Sequence, residues 1–228
     1  TLAHMEAIFR WWKAYHEIRD CGDILLVGEE KTYELIDAMF ATLHKCFRSR
    51  TVNIGMDEAH MLGLGKYLDK HGYKNRFDIL NRHLNKVIEI AKKYGFKPLM
   101  WSDMFFRPLG YDDYYIPRVE LPKECKDTLI DGVVPVYWDY YQKNEEAYSG
   151  MIENHKQFSD KTWFAGGAWT WRGFMPINDF SILSMRHAVN ACRKHGIRNI
   201  FFTMWGDDGA ECSRYAAIPT LYYLAEYL

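Results

Sequence analysis

Along the chain, short apolar runs rich in β-branched and aromatic residues alternate with longer segments whose apolar positions recur every three or four residues. The first pattern predicts buried strands and the second amphipathic helices. Over residues 29–48, Tyr33, Ile36, Phe40, Leu43 and Phe47 share one helical face, and Glu29 and Glu30 stand where the helix dipole favours acids. The helix predicted there feeds a strand over 51–54. A glycine-bearing loop over 61–75 follows, and then a stripe of Phe77, Leu80, Leu84, Val87, Ile88 and Ala91 predicts a second helix with Gly95 just past its end. Further strands are predicted over 97–103, 132–139, 162–169 and 199–205, and further helices over 122–129, 145–158, 179–195 and 215–228. Residues 1–28 have no clear period: Thr1 to His4 reads as the end of a strand and the remainder as a long loop with a turn at Cys21-Gly-Asp23.

Strands that alternate with helices in this way mark a parallel sheet covered by helices, and hence an α/β chain. An open doubly wound sheet would carry a phosphate loop of the G-x-G-x-x-G type after an early strand, and the sequence has none. Every strand instead ends in polar and aromatic residues: Asp57 and Glu58, Trp101 and Asp103, Trp138 and Asp139, Trp169 and Trp171, Trp205 and Asp207. Strand ends converging on one rim predict a (β/α)8 TIM-type barrel. Five full strands and the end of another make that barrel incomplete, so residues 1–228 are expected to be the C-terminal larger part of a single catalytic domain.

Composition changes the picture in three places. Lys plus Arg at 29 against Asp plus Glu at 30 leaves no basic excess for nucleic acid or an anionic membrane surface, and no apolar run approaches the ~18 residues of a membrane helix. Aromatic residues make up 16% of the chain and cluster at Trp11-Trp12, Tyr137-Trp-Asp-Tyr-Tyr141 and Trp169-Thr-Trp171, which suits a ligand with apolar and hydroxylated faces, as a sugar has. Trp11 and Trp12 are expected to cover the barrel mouth or fill a core gap. The five cysteines are odd in number and form no Cys-x-x-Cys, which argues against a disulfide framework and a thiolate zinc site and favours a reducing compartment. His4, His60 and Asp57 could be assembled into a divalent metal site, but no His-x-His or His-x-x-x-His accompanies them. No metal and no cofactor is expected, and His60, His71 and His83 are read as surface or loop residues.

The chemistry centres on Thr51-Val-Asn-Ile-Gly-Met-Asp-Glu-Ala-His60, a short strand that breaks at Gly55 and ends in two adjacent carboxylates. Asp57 could simply cap the following segment, as Asp103, Asp139 and Asp207 could cap theirs. Carboxyl groups beside tryptophans on one rim are also the working parts of glycoside hydrolysis. A common retaining glycosidase needs two carboxyl groups about 5 Å apart on either side of the sugar. Neighbouring strand residues point in opposite directions, so Asp57 and Glu58 suit two adjacent parts of one sugar instead: its glycosidic oxygen and its 2-substituent.

Asn53-Ile-Gly-Met-Asp-Glu58 resembles the Asp-Glu signature of family-20 glycoside hydrolases, the β-N-acetylhexosaminidases. Leu2-Ala-His4 resembles the segment that closes the family's third strand, Trp101 to Asp103 the fifth, Val136-Tyr-Trp138 the sixth and Trp205-Gly-Asp207 the eighth, so that strands 3 to 8 are present. The chain departs from the family's seventh-strand Tyr-x-Asp with Ala168-Trp-Thr-Trp171, so the hydroxyl that grips the acetamide oxygen is sought at Tyr137 or Tyr140. The resemblance implies substrate-assisted catalysis, with Glu58 as general acid and base and Asp57 orienting the 2-acetamido group. It implies substrate-binding roles for His4, Trp101, Asp103, Tyr137, Trp138, Asp139, Tyr140, Trp169, Trp171, Trp205 and Asp207. The partner it implies is an N-acetylhexosamine-containing glycan or glycoside. A carbohydrate-binding barrel that has lost turnover is the alternative.

Overall fold

In the computed structural model of the chain the described residues are 1–107, 114–126 and 132–228. They divide into two compact units, Thr1–Tyr114 with Asp127–Pro135, and Tyr115–Lys126 with Val136–Leu228.

The first unit is built from α1 (Glu6–Trp11), α2 (Glu30–Cys46), β1 (Thr51–Asn53), α3 (Lys66–His71), α4 (Arg76–Lys93) and β2 (Lys97–Trp101). β1 and β2 pair in parallel, Thr51 opposite Lys97 and Asn53 opposite Leu99. The α4 stripe is the core of this unit, since Phe77, Leu80, Leu84, Val87, Ile88 and Ala91 are all buried against β2 and α2. Burying each of the large aliphatic side chains stabilises the fold by about 1.5–3 kcal/mol. Asn75 caps the helix by accepting the Phe77 N–H at 2.8 Å, and Gly95, at φ 74°, follows its last turn. On α2, Ile36 and Phe40 are buried as the periodicity requires, but Phe47 is exposed because the helix ends at Cys46.

Two parts of this unit differ from the sequence expectation. The loop over 61–75 contains α3, whose approach is fixed from outside: buried Asp20 accepts the Gly63 N–H at 3.1 Å and the Tyr67 N–H at 2.8 Å. Residues 1–28 are not one long loop but α1, a 3-10 helix over Lys13–Ile18, and a buried run of Ile24, Leu25, Leu26 and Val27. That run bridges to His4 and Arg19 in antiparallel fashion. Thr1 to His4 does behave as a strand end, with the Leu2 N–H donating to Ile54 O at 2.8 Å beside β1. Trp11 and Trp12 fill no core gap, being 71% and 55% exposed.

The second unit holds α5 (Lys123–Lys126), most of β3 (Val134–Trp138), α6 (Glu145–Lys156), β4 (Trp163–Gly167), α7 (Asn178–His195), β5 (Ile200–Thr203) and α8 (Ile218–Tyr227). The helix predicted over 122–129 is seen as α5, and its last three positions lie outside the described residues. β3 pairs with β4 and β4 with β5, all in parallel, so neighbours in the chain are neighbours in space. A Tyr148 to Ser184 hydroxyl bond of 2.6 Å joins α6 to α7, and Thr220 donates to Asn178 Oδ1 at 2.7 Å to join α8 to α7. Cys21, Cys46, Cys192 and Cys212 are free thiols. No helix among the described residues is long and apolar enough to cross a membrane.

Candidate functional site

In the first unit the sequence forces an unusual turn at the end of β1. Gly55, Met56 and Glu58 all have positive φ, at 78°, 69° and 49°. Such a conformation costs a residue other than glycine about 1–3 kcal/mol and persists only where surroundings over-determine it. Four bonds do so here. Gly55 N–H donates to Asn53 Oδ1 at 2.8 Å, Trp101 N–H to Gly55 O at 3.0 Å, Glu58 N–H to Asp103 Oδ2 at 2.9 Å, and His60 N–H to Glu58 O at 2.7 Å. A Cβ on Gly55 would overlap Thr1 Cβ, so the turn also needs glycine for its packing against the N-terminal segment.

The turn leaves Glu58 exposed and Asp57 half-buried. Asp57 Oδ1 is buried with no hydrogen-bond partner among the described residues, and so is Nε2 of His4, whose Nδ1 lies 3.1 Å from Asp23 Oδ2. Buried polar atoms in folded proteins are nearly always paired with protein, water or ligand, so these two atoms are candidates for a ligand's polar groups. Asp103 is fully buried and its Oδ2 also accepts from Arg107 Nε at 3.1 Å. In this structure, then, Asp103 clamps the backbone of Glu58. Trp101, at the end of β2, is buried.

His83, read from the sequence as a surface or loop residue, is fully buried on α4. Its Nε2–H donates to Leu2 O at 2.7 Å, which leaves Nδ1 to accept from the Tyr33 hydroxyl at 3.2 Å. Burial holds its pKa below the ordinary histidine value, so the ring is neutral and the tautomer is set by these two bonds. His83 thereby holds the segment that carries His4. The only sequence signal for it is its place on the apolar stripe, one residue before Leu84.

In the second unit the predicted residues form an aromatic cluster. Tyr140, Trp169 and Trp171 are buried together, with Trp138, Phe180 and Trp205 packed around them. Trp169 and Trp171 stack with centroids 4.8 Å apart, and Trp138 and Tyr140 stack at 5.7 Å. Trp169 Nε1–H donates to Tyr140 O at 2.8 Å, and Thr170 donates to Trp205 O at 2.8 Å. Burial pushes the Tyr140 phenol well up, and its hydroxyl bonds Trp205 and Thr203. Asp139 and Tyr137 are fully buried, and the Tyr137 hydroxyl donates to Asp139 Oδ2 at 2.8 Å. Burial raises the Asp139 carboxyl to about 7. Asp207 opens a 3-10 turn over Asp207–Gly209 and is exposed. Among the described residues no group of three His, Cys, Asp or Glu side chains could hold a metal ion.

The geometry therefore offers a carboxylate turn in one unit and an aromatic face in the other. The family described as "Glycosyl hydrolase family 20, catalytic domain" matches residues 3–158. A comparison with curated proteins finds none that matches. Among solved structures, the chain is similar to a GH20 exo β-N-acetylglucosaminidase from Vibrio harveyi in complex with N-acetylglucosamine. The likeness has a TM-score of 0.53 and 15% identity over 90% of this chain and 32% of that one. It shows the fold, an α/β chain of the (β/α)8 type that is present in part. Streptomyces plicatus N-acetyl-β-hexosaminidase is more distant, with a TM-score of 0.40 and 16% identity over 68% of this chain and 24% of that one. The chain thus spans a third or less of the length of these structures.

Proposed function

The chain belongs to glycosyl hydrolase family 20, and on that premise we propose that it is an exo-acting, retaining glycosidase releasing terminal β-linked N-acetylglucosamine or N-acetylgalactosamine. The observation that carries the proposal is the Asp57–Glu58 turn, where a buried Asp57 oxygen without a partner among the described residues stands one residue from an exposed Glu58. A buried carboxylate oxygen gains a charge-assisted hydrogen bond when an N–H donor arrives, and the 2-acetamido N–H of a hexosamine is such a donor.

In the proposed reaction Asp57 accepts that N–H and turns the acetamide carbonyl oxygen toward the anomeric carbon. The carbonyl oxygen attacks as Glu58 protonates the glycosidic oxygen, which frees the aglycone and leaves an oxazolinium ion. Glu58, now a carboxylate, takes a proton from water as the water attacks the anomeric carbon. Two inversions give net retention. The positive charge that develops on the acetamide nitrogen is offset by Asp57. In the first unit Trp101 offers apolar surface to the acetamido methyl, and in the second Trp138, Tyr140, Trp169, Trp171 and Trp205 form an aromatic face of the kind that packs on a sugar ring. His4 Nε2, buried and without a partner among the described residues, is available to a sugar hydroxyl.

Glu58→Gln should lower turnover by about 10²–10⁴ for substrates with poor leaving groups and far less for activated aryl glycosides, which need little protonation. Asp57→Asn should slow both kinds, because the acetamide is no longer oriented. Rescue of either variant by azide as an inverted glycosyl azide, or robust turnover of plain glucosides, would overturn the substrate-assisted mechanism. Hexosamine binding without any turnover by the unaltered protein would identify a carbohydrate-binding barrel instead.

A further inference from the structure

We propose that Asp139 is a positioning residue, which folds the turn after β3 into the shape that seats Tyr140 and Tyr141 against Trp169 and Trp171. The consequence for affinity rests on the aromatic cluster being the sugar-binding face, whereas the structural link does not.

Asp139 has no exposed surface, so it reaches a ligand only through its neighbours. Its backbone N–H donates to Ala165 O at 3.2 Å, which ties the turn to β4. Its Oδ1 accepts the Tyr141 N–H at 2.9 Å, and its Oδ2 the Tyr137 hydroxyl at 2.8 Å. The Gln142 side chain and the Tyr140 backbone also bond it. Held this way, the turn presents Tyr140 O to Trp169 Nε1, the Tyr140 ring edge-on to Trp171 at 5.3 Å, and the Tyr141 ring edge-on to Trp169 at 5.3 Å. There is little room to shift. A Cβ on Gly167 would lie 2.7 Å from Tyr140 Cδ1 and 2.9 Å from the Trp171 ring.

The titratable groups that face the carboxyl are Tyr137 from β3, Tyr140 and Tyr141 from the turn, and Tyr148 from α6. His155, also on α6, lies behind Tyr137 with ring centroids 4.9 Å apart, and Cys192 on α7 faces Tyr148. As a carboxylate Asp139 can only accept, which matches the Tyr137 O–H and the Tyr141 N–H. Gaining a proton makes one oxygen a donor whose O–H needs an acceptor among groups that now donate to it, so the bonds around the carboxyl rearrange. With the carboxyl pushed up to about 7, that change falls between mildly acidic and mildly alkaline pH.

The test follows the tryptophan bands of the near-ultraviolet circular dichroism from about pH 5 to pH 9, in the unaltered protein, Asp139→Asn and Tyr137→Phe, with N-acetylglucosamine affinity measured in parallel. The expected result is a step with a midpoint near 7 in the unaltered protein that is absent from Asp139→Asn. In Tyr137→Phe the step persists and moves upward, because the carboxylate has lost a donor. Asp139→Asn should also bind the sugar about tenfold more weakly at pH 8 with an unchanged far-ultraviolet spectrum. A step that survives in Asp139→Asn overturns the proposal, as does weakened binding with an unaltered near-ultraviolet spectrum, the pattern of a direct sugar contact. Should Asp139→Asn not fold, Tyr137→Phe decides by whether its midpoint moves. If the unaltered protein binds no N-acetylglucosamine, the proposed function falls while the spectroscopic step still decides the role of Asp139.

Discussion

The two units hold their candidate site residues still by different means. In the first, the carboxylates ride on main chain: three positive-φ residues around Asp57, fixed by four hydrogen bonds, each donated by a backbone N–H. In the second, the aromatic face is held by side chains packed on side chains, with a buried carboxyl beneath the turn that carries two of them. Proton transfer tolerates little error in where an acid sits, whereas a stacking face works through area. A strained turn fixes the position of one group, while a packed cluster fixes a surface.

The contrast breaks most sharply at two glycines. In Gly55→Ala the new methyl meets Thr1 Cβ and keeps a positive φ, and we expect a loss of about 3 kcal/mol or more together with activity. In Gly166→Ala the methyl meets the Met185 sulfur and, at 2.7 Å, the Phe202 ring, side-chain atoms that can shift where backbone cannot, and the cost should be about 1–3 kcal/mol with activity kept. Equal losses in denaturant melts would remove the distinction.

The next effect is in pH. The Asp139 pKa is raised to about 7, so its contribution to stability is fully present below the unfolded carboxyl's pKa and is lost as pH rises through about 7. Buried His155, lowered to about 4, has the opposite sign: between its folded pKa and the ordinary value near 6.5, the unfolded state binds more protons and stability rises with pH. The two slopes oppose each other over that window. Asp139→Asn should make the slope of stability against pH more positive by up to about 1.4 kcal/mol per pH unit, read from unfolding free energies between pH 4.5 and 6.5, because the opposing term is gone. An unchanged slope would mean that Asp139 is not titrating there.

Asp103→Asn should cost about 1–3 kcal/mol, because Arg107 loses its carboxylate and the Glu58 N–H is held more weakly. It should lower kcat more than it raises KM; a pure KM effect would make Asp103 a sugar ligand instead. The smallest change is expected at Phe174→Ser, where an 80% exposed side chain should matter by no more than about 0.5 kcal/mol.

Where local pattern decides structure, the sequence was a sufficient guide. The α4 stripe and Gly95 stand where periodicity and capping place them, because a helix that buries one face must repeat. Residues 1–28 resisted because their bonds are non-local: Leu2 pairs with Ile54, Leu25 with Ala3, and Asp20 reaches the approach to α3. No period announces such links, so α1 and the buried 24–27 run read as loop. The adjacent acids stood out as a motif in the sequence, but not the left-handed turn that aims them, since Met56 and Glu58 are unusual choices for positive φ. Asp103, Asp139 and His83 share one difficulty. A polar residue that orients a neighbour looks the same in sequence as one that touches a ligand or faces water.

The bond from His83 to the Leu2 carbonyl closes 81 residues of chain. Loop-closure entropy opposes contacts so distant in sequence until other structure has formed. We therefore expect the support behind His4 and the glycine turn to assemble late in the first unit. His83→Phe should raise the unfolding rate while leaving the folding rate nearly unchanged, so that in a chevron plot only the unfolding arm moves. The acid turn would then owe its lifetime, more than its shape, to one buried imidazole.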